Sequence, residues 1–366
     1  MHAGGLAKAL LRRRPDLRIE AVGGQHLKDA GANVLHDTVT RATFGLKAFG
    51  RAFEVMALLR QLRRRWREHG PPRLVVCCDS WTMNKHVLKL ARTFGCRTMY
   101  YVSPQVWASR EGRVRRMATL IDKLACILPF EEAWLRERGV DATFVGHPLF
   151  DELPDTPPTF DEAEHFPNRP PRIALNFGSR LGTAKANLPP MLEVRRLISD
   201  AFAHAKFVTP TVPATDAYVR EQAGDMFHVE QNGFDDVMAD ADLAITVSGT
   251  ATLHTAAHGV PMLIVFRGPR LLWHLVGRHI VKTRTYGLVN LLHPERKHVA
   301  PEFIPWFGDP RPIATKALEL LENPDLLAKQ RRELARVVDP LRQKGAGDNA
   351  AVIALELLDA TGQAET

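Results

Sequence analysis

The stretch LAITVSGTATLHTAAHGVPMLIVF, from Leu243 to Phe266, shows the kind of unit that decides the fold. Its apolar run LAITV is typical of a buried strand, and small residues follow before a helical pattern begins. The backbone N–H groups at the start of such a helix favour an anion, and Thr250 adds a hydroxyl donor. The alternative is that small residues here only allow the helix to pack tightly on a sheet.

Strand-like runs alternate with helical patterns along both halves of the chain. The first half contains LRIEAVGG, RLVVCCD, TMYYVS and KLACILP, and the second half contains RIALNFG, AKFVTP, MFHVE and LAITV. Short β-rich runs separated by helices predict βαβ units with parallel sheets. Residues 153–172, between the halves, are rich in proline and acidic residues, which predicts a linker. The expected fold class is therefore α/β with two domains.

Composition limits the classes of protein that fit. With 366 residues, 45% of them hydrophobic, the chain is typical of a globular protein of two domains. No run approaches the roughly 20 apolar residues that span a bilayer, so we expect a cytoplasmic protein. The four cysteines show no CxxC spacing, so neither disulfides nor zinc fingers are expected. The net charge of +8 favours an anionic partner, which nucleic acid, an acidic membrane or a phosphorylated substrate would each satisfy.

Two other strand ends carry candidate site residues. Asp79 directly follows the run RLVVCC, where a carboxylate serves either as a general base or as the cap of the next helix. Gly178, Ser179 and Arg180 follow the run RIALNF. A glycine there lets the backbone approach a ligand, and a guanidinium binds phosphate with two hydrogen bonds. An ordinary turn with a solvated arginine is the alternative.

His254 and His258 lie four residues apart, which raises the question of a metal site. A zinc hydrolase helix carries HExxH, and Thr255 stands where that glutamate would be. The sequence identifies no third ligand. We therefore expect no metal and no cofactor, and a helix with two histidines of which one faces the ligand.

The segment from Leu46 to Gly70 combines apolar and cationic residues. Apolar side chains with cationic flanks are what a helix needs to lie on an anionic bilayer. The alternative is a helix that faces the core and has a solvated basic side. Nucleic acid is not expected, because neither a zinc finger nor RNP-type aromatics lie nearby. The predicted membrane-facing residues are Leu46, Phe49, Phe53, Met56, Arg60 and Arg63.

Several segments together resemble one family. In order, they are MYYVSPQVWASREGRVRRM, LACILPFEEAWLRERGVDATFVGHPLFDELP, the GSR turn, VSGTATLHTAAHGVPMLIVFR and TYGLVNLL, and they resemble the lipid-A-disaccharide synthase family. The resemblance implies a GT-B fold, with two Rossmann-like domains, parallel sheets and an interdomain cleft. It implies an acceptor- and membrane-facing domain over residues 1–165 and a UDP-sugar-binding domain over 170–345. Residues 346–366 would form a C-terminal helix that packs back on the first domain.

The resemblance also implies an activity. The family performs an inverting transfer from a UDP-2,3-diacylglucosamine donor to 2,3-diacylglucosamine 1-phosphate, which gives the β-1,6-linked lipid A disaccharide and UDP. Family members meet the inner face of the cytoplasmic membrane, so an anionic membrane surface is an expected partner, and a homodimer is left open.

Site residues are transferred from the family onto matching positions. Asp79 matches the first aspartate of the family motif GIDAPDFN and is the expected base or its orienting partner. Arg180 and the N–H groups around Ser248, Gly249 and Thr250 would stabilise the departing UDP. Asn290, in LVNLL, would contact the nucleotide.

The sequence departs from the family at three places. Thr82 replaces the second aspartate of GIDAPDFN, and His254 replaces the glutamate of the family motif SGTATLE. The family's first strand and its GExSGD turn align just before Met1, so we expect a longer product to be the active form. These departures keep two alternatives open: an inactive relative that binds UDP-sugar or lipid, and another GT-B enzyme that uses UDP-GlcNAc.

Overall fold

The computed structural model describes residues 2–36, 48–107, 111–154, 166–267 and 285–362. The predicted membrane-facing residue Leu46 lies outside these ranges, and so does the side chain of Phe49. The chain divides into two compact units. Unit 1 comprises Met1–Leu153 with Gln343–Thr366, and unit 2 comprises Pro154–Arg342.

Unit 1 contains parallel strands with helices between them. Four strands pair in the order β3-β4-β5-β6, and β1 and β2 pair separately. The strands are β1 (Glu20–Val22), β2 (Asn33–His36), β3 (Leu74–Cys78), β4 (Arg97–Tyr101), β5 (Lys123–Cys126) and β6 (Ala142–Phe144). The helices are α1 (His2–Arg13), α2 (Gln25–Lys28), α3 (Ala48–His69), α4 (Trp81–Thr93), α5 (Val114–Leu120), α6 (Pro129–Arg136), α7 (Leu149–Glu152) and, after unit 2, α15 (Ala346–Gly362).

Strand β4 shows why this sheet is buried on both faces. Successive side chains of a strand point to opposite faces. Tyr100 packs with residues of α3, α4 and α5, whereas Met99 and Tyr101 pack with residues of α1 and α15. All three side chains are essentially inaccessible to solvent. Two helical layers therefore enclose the sheet, as the apolar run in TMYYVS predicts.

One carboxylate fixes the start of α15. Asp151 Oδ1 accepts hydrogen bonds from the N–H groups of Gly345 and Ala346, at 2.7 and 3.1 Å, and Oδ2 accepts one from Gly347 at 3.0 Å. The first N–H groups of a helix have no partner within it, and a negative charge there also interacts favourably with the helix dipole. Asp151 thus holds the C-terminal segment against the rest of unit 1.

Unit 2 contains a six-stranded parallel sheet in the order β12-β11-β10-β7-β8-β9, counted over the described residues. The strands are β7 (Arg172–Asn176), β8 (Lys206–Thr211), β9 (His228–Gln231), β10 (Leu243–Val247), β11 (Met262–Val265) and β12 (Glu302–Phe303). The helices are α8 (Leu181–Ala201), α9 (Pro213–Ala223), α10 (Phe234–Ala239), α11 (Thr250–Ala257), α12 (Leu288–Leu291), α13 (Arg311–Leu321) and α14 (Pro324–Val338).

The two central strands of unit 2 are β7 and β10. Every residue of β10 is buried, as the uninterrupted apolar run LAITV predicts. In the β7–β10 pair, Asn176 lies opposite Thr246, so both strands end at the same edge of the sheet. The turns that follow Asn176 and Val247 are therefore neighbours.

A buried carboxylate joins the end of the predicted linker to unit 2. Asp242 accepts hydrogen bonds from the N–H groups of Phe166 and Arg172, and it forms an ion pair with Arg169 at 2.8 Å. The Asp242 side chain is almost completely buried. Residues 166–172 are therefore attached to the sheet of unit 2.

None of the helices in the described ranges is long and apolar enough to cross a membrane.

We predict that Asp151→Asn destabilises the protein. The amide offers one acceptor oxygen to three N–H donors and removes the charge at the helix start, which should lower the free energy of unfolding by about 1–2 kcal/mol. Urea unfolding followed by circular dichroism measures this change. Asp16→Asn, an exposed aspartate in the same unit, is the control and should stay within about 0.5 kcal/mol of the wild type. Equal stabilities for the two variants would contradict the capping role of Asp151.

Candidate functional site

Asp79 occupies a strained turn at the carboxyl end of β3. It adopts a left-handed backbone with φ of 58°, which is unusual for a residue other than glycine. Its N–H donates to the carbonyl oxygen of Tyr101 at 3.1 Å, and its own carbonyl accepts from the Tyr100 hydroxyl at 2.8 Å. The residue itself is exposed. The backbone is thus held at both polar groups while the carboxylate faces outward.

The helix-cap interpretation of Asp79 is wrong. Helix α4 begins at Trp81, and its N-cap residue is Ser80. The general-base hypothesis for Asp79 stays open. Thr82, at the family's second aspartate position, is exposed on the first turn of the same helix.

Two buried side chains that the sequence reasoning missed support this turn. Asn84 donates to the carbonyl oxygen of Cys78 at 2.8 Å and lies 3.4 Å from the Tyr100 hydroxyl. Burial raises the pKa of Tyr100, so its hydroxyl stays protonated and donates to Asp79. Two sequence signals could have found them: Asn84 matches the final asparagine of the family motif GIDAPDFN, and Tyr100 belongs to the tyrosine pair in TMYYVS.

The next strand of unit 1 also ends in a left-handed residue. Val102 has φ of 65°, and its N–H donates to the carbonyl oxygen of Ala125 at 3.0 Å. A β-branched residue rarely adopts this conformation, and strain of this kind concentrates at functional sites. The segment SPQVW follows Val102 directly.

Glu131 binds the last residue of that segment, Trp107, a role that the sequence did not predict. Its Oε1 accepts from the indole N–H of Trp107 at 3.0 Å, and its Oε2 accepts from the N–H of Leu128 at 3.2 Å. Glu131 is 1% exposed, and this burial raises its pKa to about 7. The sequence signal is the third helical position of PFEEAWL, where a glutamate caps the helix start.

In unit 2, Gly178 begins the turn after β7. It has φ of +88°, and a Cβ atom there would lie 3.0 Å from Val247 and 3.2 Å from Thr183. The Asn176 side chain accepts from the N–H of Gly178 at 3.0 Å and donates to the Thr246 hydroxyl at 3.0 Å. A glycine is therefore required here both for its backbone angle and for its lack of a side chain.

Ser179 and Arg180 complete this turn. Both are exposed, and Arg180 is the N-cap residue of α8. Two N–H groups of the first helical turn, those of Thr183 and Ala184, donate to the Arg180 carbonyl oxygen. Arg180 thus belongs to the turn after β7, at the edge of the sheet where the turn after β10 also begins.

The turn after β10 offers fewer donors than the sequence suggests. The N–H of Ser248 donates to the Val265 carbonyl at 3.2 Å, and its hydroxyl donates to the Tyr286 carbonyl at 3.0 Å. Gly249, with φ of +141°, and Thr250 are exposed. No hydrogen bond among the described residues uses their N–H groups. Of the three predicted N–H donors for an anion, those of Gly249 and Thr250 therefore remain available.

The side-chain amide of Asn290 is buried and hydrogen-bonded within unit 2. It is 1% exposed, its Nδ2 donates to Ala300 O and Glu302 Oε1 at 2.7 Å each, and its Oδ1 accepts from Ala300 N–H at 2.9 Å. Glu302 in turn accepts from the N–H groups of Tyr286 and Gly287. The nucleotide contact of Asn290 stays a prediction, and both polar atoms of its side-chain amide are bonded within unit 2.

The histidine pair has a partner that the sequence did not reveal. Asp235 Oδ1 lies 2.6 Å from His254 Nε2 and 2.8 Å from His258 Nε2. The His254 ring also stacks on Phe234, with centroids 4.3 Å apart. Burial lowers the pKa of His254 and opposes ionisation of Asp235, but hydrogen bonds from both imidazoles hold the pKa of Asp235 below its ordinary value. One carboxylate oxygen therefore faces both imidazoles.

Helix α3 exposes part of its predicted membrane face. Phe53 is 70% exposed and Met56 46% exposed, whereas Leu58, Leu62 and Trp66 are buried in the core. Arg60 and Arg63 are exposed and line a shallow depression together with Arg64, Arg67 and Glu68. One side of the helix therefore faces the core, and the membrane contact of its exposed side stays a prediction.

The comparisons with known proteins decide the family. The family model described as lipid-A-disaccharide synthetase matches residues 1–357. The chain belongs to this family. The lipid-A-disaccharide synthase of Syntrophus aciditrophicus is 34% identical over 366 residues, which cover 98% of this chain and 94% of that protein. The resemblance seen in the sequence is confirmed, and the chain is a glycosyltransferase of the synthetase family.

Solved structures confirm the fold class. A UDP-GlcNAc 2-epimerase from Neisseria meningitidis, bound to UDP-GlcNAc, aligns with a TM-score of 0.61 over 98% of this chain and 96% of its own, at 12% identity. The glycotransferase of kitacinnamycin aligns with a TM-score of 0.58 over 97% and 95%, at 17% identity. The predicted α/β GT-B class with parallel sheets is correct. At such identities these likenesses show the fold alone, so they do not favour an epimerase over the synthetase family.

We predict that Glu131 makes the protein less stable as the pH rises from about 4.5 to about 7. Between these pH values the folded state keeps a proton that the unfolded chain has released. The contribution of this proton to the free energy of unfolding is fully present below about pH 4.5. It is lost as the pH rises through the folded-state pKa of about 7, a loss of about 3 kcal/mol. Glu131→Gln cannot release a proton. Urea midpoints across this range should therefore fall in the wild type relative to the variant, and parallel curves would contradict a raised pKa.

Proposed function

We propose that the protein condenses UDP-2,3-diacylglucosamine with 2,3-diacylglucosamine 1-phosphate to the β-1,6-linked lipid A disaccharide and releases UDP. The observation that carries this proposal is the family match over residues 1–357. The relative from Syntrophus aciditrophicus, named for the same product, aligns over nearly its whole length. The turn geometry in the two units supplies groups that suit such a transfer.

We assign the acceptor chemistry to Asp79. In an inverting transfer, the 6-hydroxyl oxygen of the acceptor attacks the anomeric carbon of the donor while the bond to the UDP oxygen breaks. A base must take the hydroxyl proton, and a carboxylate on a fixed backbone suits this task. The bonds from Tyr100 and to Tyr101 fix the Asp79 backbone and leave its carboxylate accessible.

We assign the binding of the donor diphosphate to unit 2. The turn after β7 carries Gly178, Ser179 and the exposed guanidinium of Arg180, and the neighbouring turn carries the N–H groups of Gly249 and Thr250. A guanidinium and N–H groups at a helix start stabilise the negative charge that develops on departing UDP. Ser248, Asn290 and His254 then support the site, since their bonds described above hold the surrounding segments.

We also propose that α3 meets an anionic membrane surface. Phe53, Met56, Arg60 and Arg63 follow one another at three- and four-residue intervals, which places them along one side of the helix. The apolar pair is exposed, although exposing such side chains to water is unfavourable, and the arginines lie next to it. This arrangement suits insertion of the apolar side chains among lipids with the cations at the headgroups. A homodimer, and the absence of nucleic-acid binding, stay predictions.

We expect Asp79→Asn to abolish most of the activity. Loss of a general base costs about 10²- to 10⁴-fold in turnover, while UDP binding should be unchanged because Asp79 belongs to the acceptor chemistry. Mass spectrometry of the disaccharide formed from donor and acceptor measures turnover, and calorimetry measures UDP affinity. Asp16→Asn is the control and should behave as the wild type. Unchanged turnover in Asp79→Asn would remove this residue as the base.

Absence of the disaccharide with every form of the protein, despite UDP-sugar binding, would instead support the inactive-relative alternative.

We expect the double variant Phe53→Ala, Met56→Ala to bind phosphatidylglycerol vesicles at least about tenfold more weakly, because it removes two inserting side chains. Arg60→Gln with Arg63→Gln should reduce the preference for anionic over neutral vesicles, at about 1 kcal/mol for each charge. Cosedimentation measures both. Met226→Ala, which removes an exposed methionine of unit 2, is the control. Equal binding by all variants would show that this face of α3 is not the membrane contact.

A further inference from the structure

The cluster formed by Asp235, His254 and His258 has the composition of a metal site. The two histidines lie one helical turn apart, where α11 ends, and Asp235 lies in the first turn of α10. One ligand atom from each residue lies within 4.8 Å of the other two. The sequence has no glutamate at the HExxH position and identified no third ligand, but Asp235 supplies a third ligand from another helix.

We propose that Asp235, His254 and His258 bind a divalent transition-metal ion, with zinc as the best match. Imidazole nitrogen and a single carboxylate oxygen are the ligands that zinc prefers, whereas magnesium and calcium prefer oxygen ligands alone. Three protein ligands leave one position for water. The proposed sugar transfer itself needs no metal.

The distances from Asp235 to the two histidines are close to those that a bound ion requires. Zinc bonded at about 2.0–2.2 Å to two such atoms holds them about 3.3 Å apart. The Asp235 oxygen now lies 2.6 and 2.8 Å from the two Nε2 atoms, so it must move outward by about 0.5–0.7 Å to make room for the ion. The two Nε2 atoms lie within 4.8 Å of each other. The Asp235 side chain is 61% exposed and free to make that movement, while the imidazoles are largely buried and oriented.

The surroundings set the strength of binding. A ligating histidine binds best when its other nitrogen donates to an acceptor, and loss of such a partner weakens metal binding about 10- to 100-fold. His258 Nδ1 is buried and has no partner within the described part of the chain. Because His258 Nδ1 lacks such a partner and the protein supplies only three ligands, we expect micromolar rather than nanomolar affinity for zinc.

The ion would join two helices that unit 2 otherwise connects through side-chain contacts. Its ligands come from the first turn of α10 and the last turn of α11, and the other end of α11 carries Gly249 and Thr250. Binding to the folded state alone raises stability in proportion to the logarithm of the metal concentration above Kd. Zinc should therefore raise the melting temperature whether or not the protein is active, so this test is independent of the proposed function.

The experiment uses the full chain after treatment with EDTA and desalting. Titration with zinc against a chromophoric zinc indicator should show one equivalent bound with micromolar Kd, and cobalt should give the visible absorption bands of a nitrogen- and oxygen-ligated ion. Asp235→Asn and His254→Ala should each weaken the affinity for this zinc ion at least about tenfold. Magnesium should not compete.

His228→Ala is the matched control. His228 Nε2 also lies 3.0 Å from a carboxylate oxygen, that of Glu230, but this exposed pair contains only one imidazole. The His228→Ala variant should therefore still bind one equivalent of zinc with the affinity of the wild type. Circular dichroism checks that each variant is folded, and Asp235→Asn changes only an exposed side chain. The proposal is overturned if the wild type binds no zinc below about 100 μM, or if folded Asp235→Asn and His254→Ala bind it as the wild type does.

Discussion

The sharp turns that follow β3, β4, β7 and β10 are the constraint on which the candidate site depends. In unit 2 these turns use glycines, Gly178 and Gly249, which adopt positive φ without strain. In unit 1 they use Asp79 and Val102, for which a left-handed backbone costs about 1–2 kcal/mol each. A glycine at position 79 would relieve the strain but remove the carboxylate. At Asp79 the hydrogen bonds from Tyr100 and to Tyr101 offset that cost and keep an exposed carboxylate at the turn.

Buried polar side chains hold these turns, and exposed ones are left for ligands. Asn176 orients Gly178, Asn290 orients Glu302, and Glu131 holds Trp107. Each is buried or nearly so and has its hydrogen bonds satisfied within its own unit, as a buried amide or carboxyl must. The exposed residues Asp79 and Arg180 face solvent instead. The division separates the groups that can react from the groups that set their positions.

The sequence predicts the strands and their turns well, because periodicity and small residues are local signals. The strand LAITV, the glycine turns and the place of Asp79 after β3 all follow from short segments. Side-chain roles that depend on packing between elements do not. The pattern LVNLL cannot show that Asn290 points inward, and Asp235 is 19 residues from His254, so only the packing of α10 on α11 brings them together. The resemblance to a family supplied the activity, which no local pattern contained.

The cap that Asp151 places on α15 has a consequence for how the protein is made. Its partners Gly345, Ala346 and Gly347 follow it by 194 to 196 residues, with the whole of unit 2 between them. At ribosomal rates of about 5–20 residues per second, these partners emerge about 10–40 s after Asp151. During that interval the sheet of unit 1 lacks α15, one of the two helices that cover Met99 and Tyr101. The nascent unit 1 therefore has apolar side chains on this face that α15 does not yet cover while unit 2 is synthesised and can fold.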